Sequence, residues 1–206
     1  MRRFFIITFF LTVVASTFIY LHHRDNVIPI ANLLQQKING AHMKTYHDST
    51  FGYIMRYPDF FVQLPDSLNP EPGCCTFRFW NVEQINLSGY VLGNPEQLTV
   101  QQMKDSLVHE NHDVKIRTLA DTLIISSPLY AEDGVVDGYR NYAKYVRHRK
   151  LWFVQSLSYP VECEDAVRRI KHQIDSWTVW ENVIPQKCFI PKRRRQTFMY
   201  SHKSYS

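Results

Sequence analysis

Residues 135–148 read VVDGYRNYAKYVRH, residues 151–159 read LWFVQSLSY, and only Arg149-Lys150 lies between them. Tyr, Val, Phe and Trp dominate both stretches, and such side chains fit a pleated, half-buried surface. In the second stretch Leu151, Phe153, Leu157 and Tyr159 recur at period two, which places them on one face of a strand, and Pro160 stops it. So short a link joins antiparallel neighbours. The pair therefore reads as a long hairpin, and the rest of the chain must build a sheet around it.

Working outward, the same signals recur. Phe51 to Pro58 is a strand closed by proline, and Phe60 to Leu64 continues it after a kink. Pro65 to Gly73 is a turn-rich loop. Cys74 to Trp80 alternates Cys75, Phe77 and Phe79 against Thr76, Arg78 and Trp80, the pattern of a sheet wet on one face. Ile85 to Leu92, Val114 to Arg117 and Leu123 to Ser127 are further strands, and Asp133-Gly134 marks a turn. Thr99 opens a helix, because Gln102 stands at capping-box spacing and Val100, Met103 and Leu107 follow at helical spacing. Glu162 to Trp177 is the clearest helix. Ala166, Ile170, Ile174 and Trp177 form one stripe, with acids early and Arg168, Arg169 and Lys171 later, an order that complements the helix dipole. The fold class is α+β, an antiparallel sheet of about six strands with two amphipathic helices packed on one face.

Ahead of this domain, Met1-Arg2-Arg3 leads into Phe4 to Leu21, a run without a charged residue, followed by His22-His23-Arg24-Asp25. As a helix the run rises about 27 Å, close to the thickness of a bilayer's hydrocarbon core. Basic flanks resist translocation, so Arg2 and Arg3 stay cytoplasmic and the chain beyond Leu21 lies outside. Residues 1–24 thus read as a signal-anchor or single membrane helix. Cleavage after Val13-Val14-Ala15, giving a secreted protein, is the alternative, but apolar residues continue through Phe18, Ile19 and Leu21. Residues 25–45 read as a tether, with a short helix over Asn32 to Ile38 ended by Gly40. Residues 46–180 are the domain, and residues 181–206 a basic, disordered tail.

The formal net charge is +5, yet Lys187, Lys192, Arg193, Arg194, Arg195 and Lys203 supply six positive charges in the last 20 residues. The remainder is near neutral, so the basicity describes the tail and not the domain. Lys192, Arg193, Arg194 and Arg195, with Phe198, Tyr200 and Tyr205 beyond, are a candidate contact for anionic lipid or another polyanion. On an exported domain no nucleic acid is expected. Four cysteines, Cys74, Cys75, Cys163 and Cys188, are candidates for a disulfide outside the cytoplasm, with the pairing open.

The layout resembles a known family. An aromatic-Gly-Tyr strand ending in Tyr-Pro (Phe51 to Pro58) opens the domain, and a Thr-capped helix follows Asn94-Pro95-Glu96. A long hairpin over Tyr139 to Tyr159 ends in Tyr159-Pro160, and an amphipathic helix closes on Ser176-Trp177. Over about Tyr46 to Val179 the chain resembles the PsbP-like domain family, named for an extrinsic photosystem subunit. The resemblance implies an antiparallel sheet flanked by helices and a non-enzymatic binding or assembly role. It brings no catalytic residue and no cofactor.

Local chemistry is sparse. His109-Glu110-Asn111-His112-Asp113 is the densest polar cluster, and His109 and His112 are weak metal candidates on a helix end. His22, His23, His42 and His47 fit no common metal spacing. Cys74 or Cys75 would need an orienting His to act as a nucleophile. Tyr139, Tyr142, Tyr145, Trp80 and Trp152 read as sheet core, or as a binding patch if exposed together. Three functions follow: a membrane-tethered extracytoplasmic binding or assembly domain with a protein partner at the envelope; an exported hydrolase using Cys or a His-bound metal; or a carrier of a small ligand or lipid, which needs an apolar pocket between helices and sheet.

Overall fold

The hairpin read from residues 135–159 is the middle of the sheet. The structure is a computed structural model that describes Ser16 and residues 28–69, 71–79, 85–110, 113–131 and 134–180. In chain order the strands are β1 (Met43–His47), β2 (Ile54–Pro58), β3 (Phe61–Gln63), β4 (Cys75–Phe79), β5 (Asn86–Gly93), β6 (Lys115–Leu119), β7 (Thr122–Ala131), β8 (Gly134–His148) and β9 (Leu151–Pro160). The helices are α1 (Ile30–Gly40), α2 (Val100–Glu110) and α3 (Arg168–Ser176). β8 and β9 pair antiparallel from Tyr139 opposite Pro160 to His148 opposite Leu151. Around them lies a seven-stranded sheet in the order β3-β4-β5-β9-β8-β7-β6, antiparallel throughout, and β1-β2 form a separate hairpin.

Period-two alternation divides the sheet into two faces. On the first face Phe77, Leu87, Phe153, Leu157 and Tyr159 are buried against Leu34 and Ile38 of α1 and Ile170 and Ile174 of α3. The β1-β2 hairpin covers the same face with aromatic rings. Tyr57 stacks on Phe77 at 4.0 Å between centroids, and Tyr53 meets Phe153 edge-on at 6.2 Å. On the second face Val100, Met103 and Leu107 of α2 pack on Leu123, Ile125, Trp152 and Tyr145.

Several expectations change. The helices do not share one face: α1 and α3 cover the first and α2 the second. Residues 30–45, read as part of a tether, belong to the folded body, because Leu34 and Ile38 are fully buried and β1 pairs with β2. The helix expected from Glu162 starts at Arg168, after a 3-10 turn at Val161–Cys163. Cys163, Ala166 and Val167 are all buried there, and Glu164 is drawn toward Tyr159. The expected membrane helix over Phe4–Leu21 lies outside the described residues except for Ser16. Among the described residues no helix is long and apolar enough to cross a membrane.

Side chains fasten the helices at their C-terminal ends, where carbonyls lack partners and cations are favoured. Arg169 donates to the carbonyl of Ile38 at 2.6 Å, which closes α1. Lys144, buried on β8, donates to the carbonyls of Asp175 and Trp177, each at 2.7 Å, which closes α3. The chain then runs along β2: Trp177 Nε1 donates to the Ile54 carbonyl at 2.6 Å, and Ile54 N–H donates to the Val179 carbonyl at 2.9 Å. Tyr142 and Arg117 both donate to the Asp175 carboxylate. Glu164 accepts from Tyr159 and Lys171. Burial acts to raise the Glu164 carboxyl, but those two donors outweigh it and hold it below the ordinary carboxylate range.

Replacing Lys144 with Met keeps the apolar stem and strands two carbonyls. The variant is expected to lose about 2 kcal/mol of unfolding free energy with an unchanged denaturant slope, measured by urea titration. Glu164, with its depressed pKa, stabilises the fold above the ordinary carboxyl pKa, and that contribution disappears as pH falls through its lower folded value. Glu164→Gln should therefore lose less stability than the parent between about pH 5 and about pH 3, followed by thermal melts across that range.

Candidate functional site

The second face is the place to look, because the first is closed by two helices and a hairpin. α2 covers its β6-β7-β8 side and the Trp152 end of β9. Across β4, β5, β9 and β8 the register lines up Thr76, Ser88, Ser156 and Ala143 in one row and Arg78, Asn86, Ser158 and Asn141 in the next. These positions alternate with buried apolar ones: Phe77 and Leu87 behind the first pair of strands, Leu157 behind the third. The polar row is tied laterally. Thr76 donates to Asn69 Oδ1 at 2.9 Å and meets Ser88 Oγ at 3.2 Å, while Arg78 Nε donates to Asn86 Oδ1 at 3.2 Å.

Two cavities open on this face. One, of about 230 Å³, lies beside α2 between Leu107, Ile125, Leu129 and Tyr145, with Ser127 and Asn141 adding polar groups. The other, of about 280 Å³, lies between Asn69, Glu71, Cys74, Thr76 and Ser88. Tyr90 and Ser156 line both, so the cavities adjoin. Tyr90 hydrogen-bonds Tyr145 and Ser156. Burial raises both phenols above their usual range, so they stay neutral hydrogen-bonding groups at and well above physiological pH. Among the described residues, Glu71 is the sole charged side chain lining either cavity, and no histidine lines either.

The residues singled out from sequence scatter. Cys74 is half-buried at the second cavity, Cys75 is buried on the opposite face, and Cys163 is buried under α1 and α3; none is bridged to another. The fourth candidate for a disulfide, Cys188, lies outside the described residues. Cys75 contacts the Tyr53 hydroxyl at 3.3 Å, and that ring covers Gly89 so closely that a Cβ there would stand 3.0 Å from the Tyr53 oxygen. Burial pushes the Cys75 and Cys163 thiols up to about 11, and burial followed by the Glu71 charge raises Cys74. Protonated thiols are poor nucleophiles. His109 is exposed near the end of α2. His112 and Lys192, Arg193, Arg194 and Arg195 lie outside the described residues, as does Trp80. Among the described residues no three His, Cys, Asp or Glu side chains are grouped to hold a metal. Trp152 is buried and Tyr139, Tyr142 and Tyr145 are half-buried.

The short polar row was missed from sequence. Its signal was present in Asn86-Leu87-Ser88 and Ser156-Leu157-Ser158, where small polar residues flank each buried leucine.

No family model matches the chain, and no curated protein matches it in sequence. Among solved structures it is similar to the solution structure of cyanobacterial PsbP (CyanoP) from Synechocystis sp. PCC 6803. The identity is 16%, with 65% of this chain and 89% of the other covered, at a TM-score of 0.45.

Alkylation of the native chain at neutral pH, followed by mass spectrometry, is expected to modify Cys74 slowly and to leave Cys75 and Cys163 untouched until denaturant is added.

Proposed function

We propose that the chain is a membrane-tethered, extracytoplasmic binding and assembly domain without catalytic activity, contacting a protein partner at the envelope. One observation carries the reading: the open face of the central strands is built from Thr76, Asn86, Ser88, Asn141, Ser156 and Ser158. Asn is depleted in strands, and the short side chains of Asn86, Ser88, Asn141, Ser156 and Ser158 contribute little packing there, so at those positions this face is a weak strand former on a scale that spans about 1 kcal/mol. Folding does not ask for it, and such local violations concentrate at functional surfaces. Hydroxyls and amides both donate and accept, and with tyrosines beside them they match the composition of adaptable protein-binding surfaces.

The same observations weigh against the other readings. Phosphate-rich partners need clustered cations, and Arg78 is the only cation in the polar rows, already donating to Asn86. A hydrolase needs a nucleophile within reach of a base, and among the described residues no histidine lines the cavity where Cys74 stands. A carrier pocket encloses about 300–1,000 Å³; the two cavities measure about 230 and 280 Å³ and stay open. The tether rests on the uncharged run from Phe4 to Leu21 behind Arg2-Arg3. The tail cations, Lys192 to Arg195, add attraction to anionic lipid.

A photo-crosslinking residue at Ser88 in the full chain, irradiated in intact cells, is expected to give an adduct with an envelope protein. The same probe at Arg168, exposed on the other side, is expected to give none. Equal or absent adducts from both positions overturn the reading. A reporter fused after Ser206 that is active on the cytosolic side removes the extracytoplasmic half of it.

A further inference from the structure

Resting on that reading, we propose that the partner presents an extended polypeptide segment with a neutral aromatic side chain, which enters the cavity beside α2. A neighbouring basic residue of the segment then lies against Glu71 in the adjoining cavity. Size argues for the first anchor. About 230 Å³ is the space of several waters at about 30 Å³ each, enough for one ring and short of a small-molecule pocket. Chemistry argues for its kind. Leu107, Ile125 and Leu129 offer apolar contact, while Asn141, Ser127 and Tyr145 offer hydrogen bonds. A ring with a polar edge satisfies both. A charged anchor would be desolvated with no opposite charge among the described residues that line that cavity. Buried aromatic anchors in such pockets are what dominate protein–protein affinity.

The second anchor follows from charge. Among the described residues that line the cavities, Glu71 is the single charged side chain and no cation stands beside it. It therefore selects a basic neighbour and repels an acidic one. Tyr90 and Ser156 form a wall common to the two cavities, so one extended segment laid across that wall reaches both. The outer wall of the aromatic cavity is set by the strand irregularity at Pro128/Leu129. There the pairing of β7 with β8 jumps from Arg140 to Val136, and Gly138 takes φ +76°. A bulge of this kind re-aims side chains at a site, and here it brings Leu129 to the cavity edge.

The test is selection of random linear peptides displayed on phage against the full chain in detergent micelles. Enriched peptides are expected to share Tyr or Phe with Lys or Arg close by. Leu129→Trp fills the cavity and should weaken those peptides by about tenfold. Leu129→Ala enlarges it and should shift the aromatic preference to Trp. Glu71→Gln should drop the basic residue and keep the aromatic one. Thermal melts matching the parent establish that each variant folds. No enriched motif, an acidic motif, or one indifferent to Leu129 and Glu71 overturns the proposal. A crosslink from Ser88 in cells without an aromatic motif leaves the binding reading standing and removes the anchor. The motif without the crosslink keeps the anchor and removes the cellular reading.

Discussion

The amine of Lys144 holds the molecule together in a way that no apolar side chain could. It sits in the middle of β8, between Ile124 of β7 and Gln155 of β9. Its two hydrogen bonds end α3 and turn the chain toward β2. Everything on the first face then follows. Trp177 and Val179 bond β2, β2 carries β1, and Arg169 of α3 closes α1. Burying a cation is unfavourable, and here desolvation lowers the Lys144 pKa. Carbonyls at a helix end are among the few neutral partners that offset that cost, because the helix dipole concentrates negative potential there.

The closure of one face explains why the proposed binding surface lies on the other. Two helices and a hairpin leave no room on the first face, whereas a single amphipathic helix of three turns cannot cover seven strands. α2 lies over β7, β8 and Trp152 of β9 and, among the described residues, leaves β4, β5 and the end of β9 that carries Ser156 and Ser158 open. An antiparallel sheet tolerates one wet face, but a merely wet face is usually built from long charged or β-branched side chains. Short Ser and Asn side chains keep the surface low, and a partner's backbone can approach the sheet. Stability invested in the Lys144 and aromatic contacts of the first face allows an unfavourable surface on the second.

Much of this was legible in the sequence. The hairpin and the Thr99 capping box depend only on local chemistry, and both are present; Thr99 N–H donates to Gln102 Oε1 at 2.8 Å and Gln102 N–H to Thr99 Oγ1 at 3.2 Å. Strand β1 was not legible, because Met43, Lys44, Thr45 and His47 are all exposed and show no alternation. Its pairing is set instead by the Asp48 carboxylate, which accepts from the Thr50 and Phe51 N–H groups and shapes the turn. Nor does periodicity say which face of a sheet a helix will take. α1, α2 and α3 are all amphipathic, and only the path of the chain sends α2 to the second face. The site was hidden for a related reason. Ser88 and Ser156 lie far apart in the chain, and only the pairing of β5 with β9 places them side by side.

The proposed anchoring limits what the surface can meet. α1 is fixed to the core through Leu34, Ile38 and Arg169, so it is no part of a flexible linker. If Phe4–Leu21 spans the bilayer, residues 22–29 alone separate it from α1. At full extension of about 3.5 Å per residue they reach about 28 Å. The domain is thus held within roughly its own thickness of the membrane, where a partner on the same surface meets it as an intramolecular event would be met, at raised effective concentration. A weak, hydrogen-bonding surface is sufficient under that constraint. The same surface on a freely diffusing protein would need the charged steering or large apolar patch that this one lacks in its polar rows.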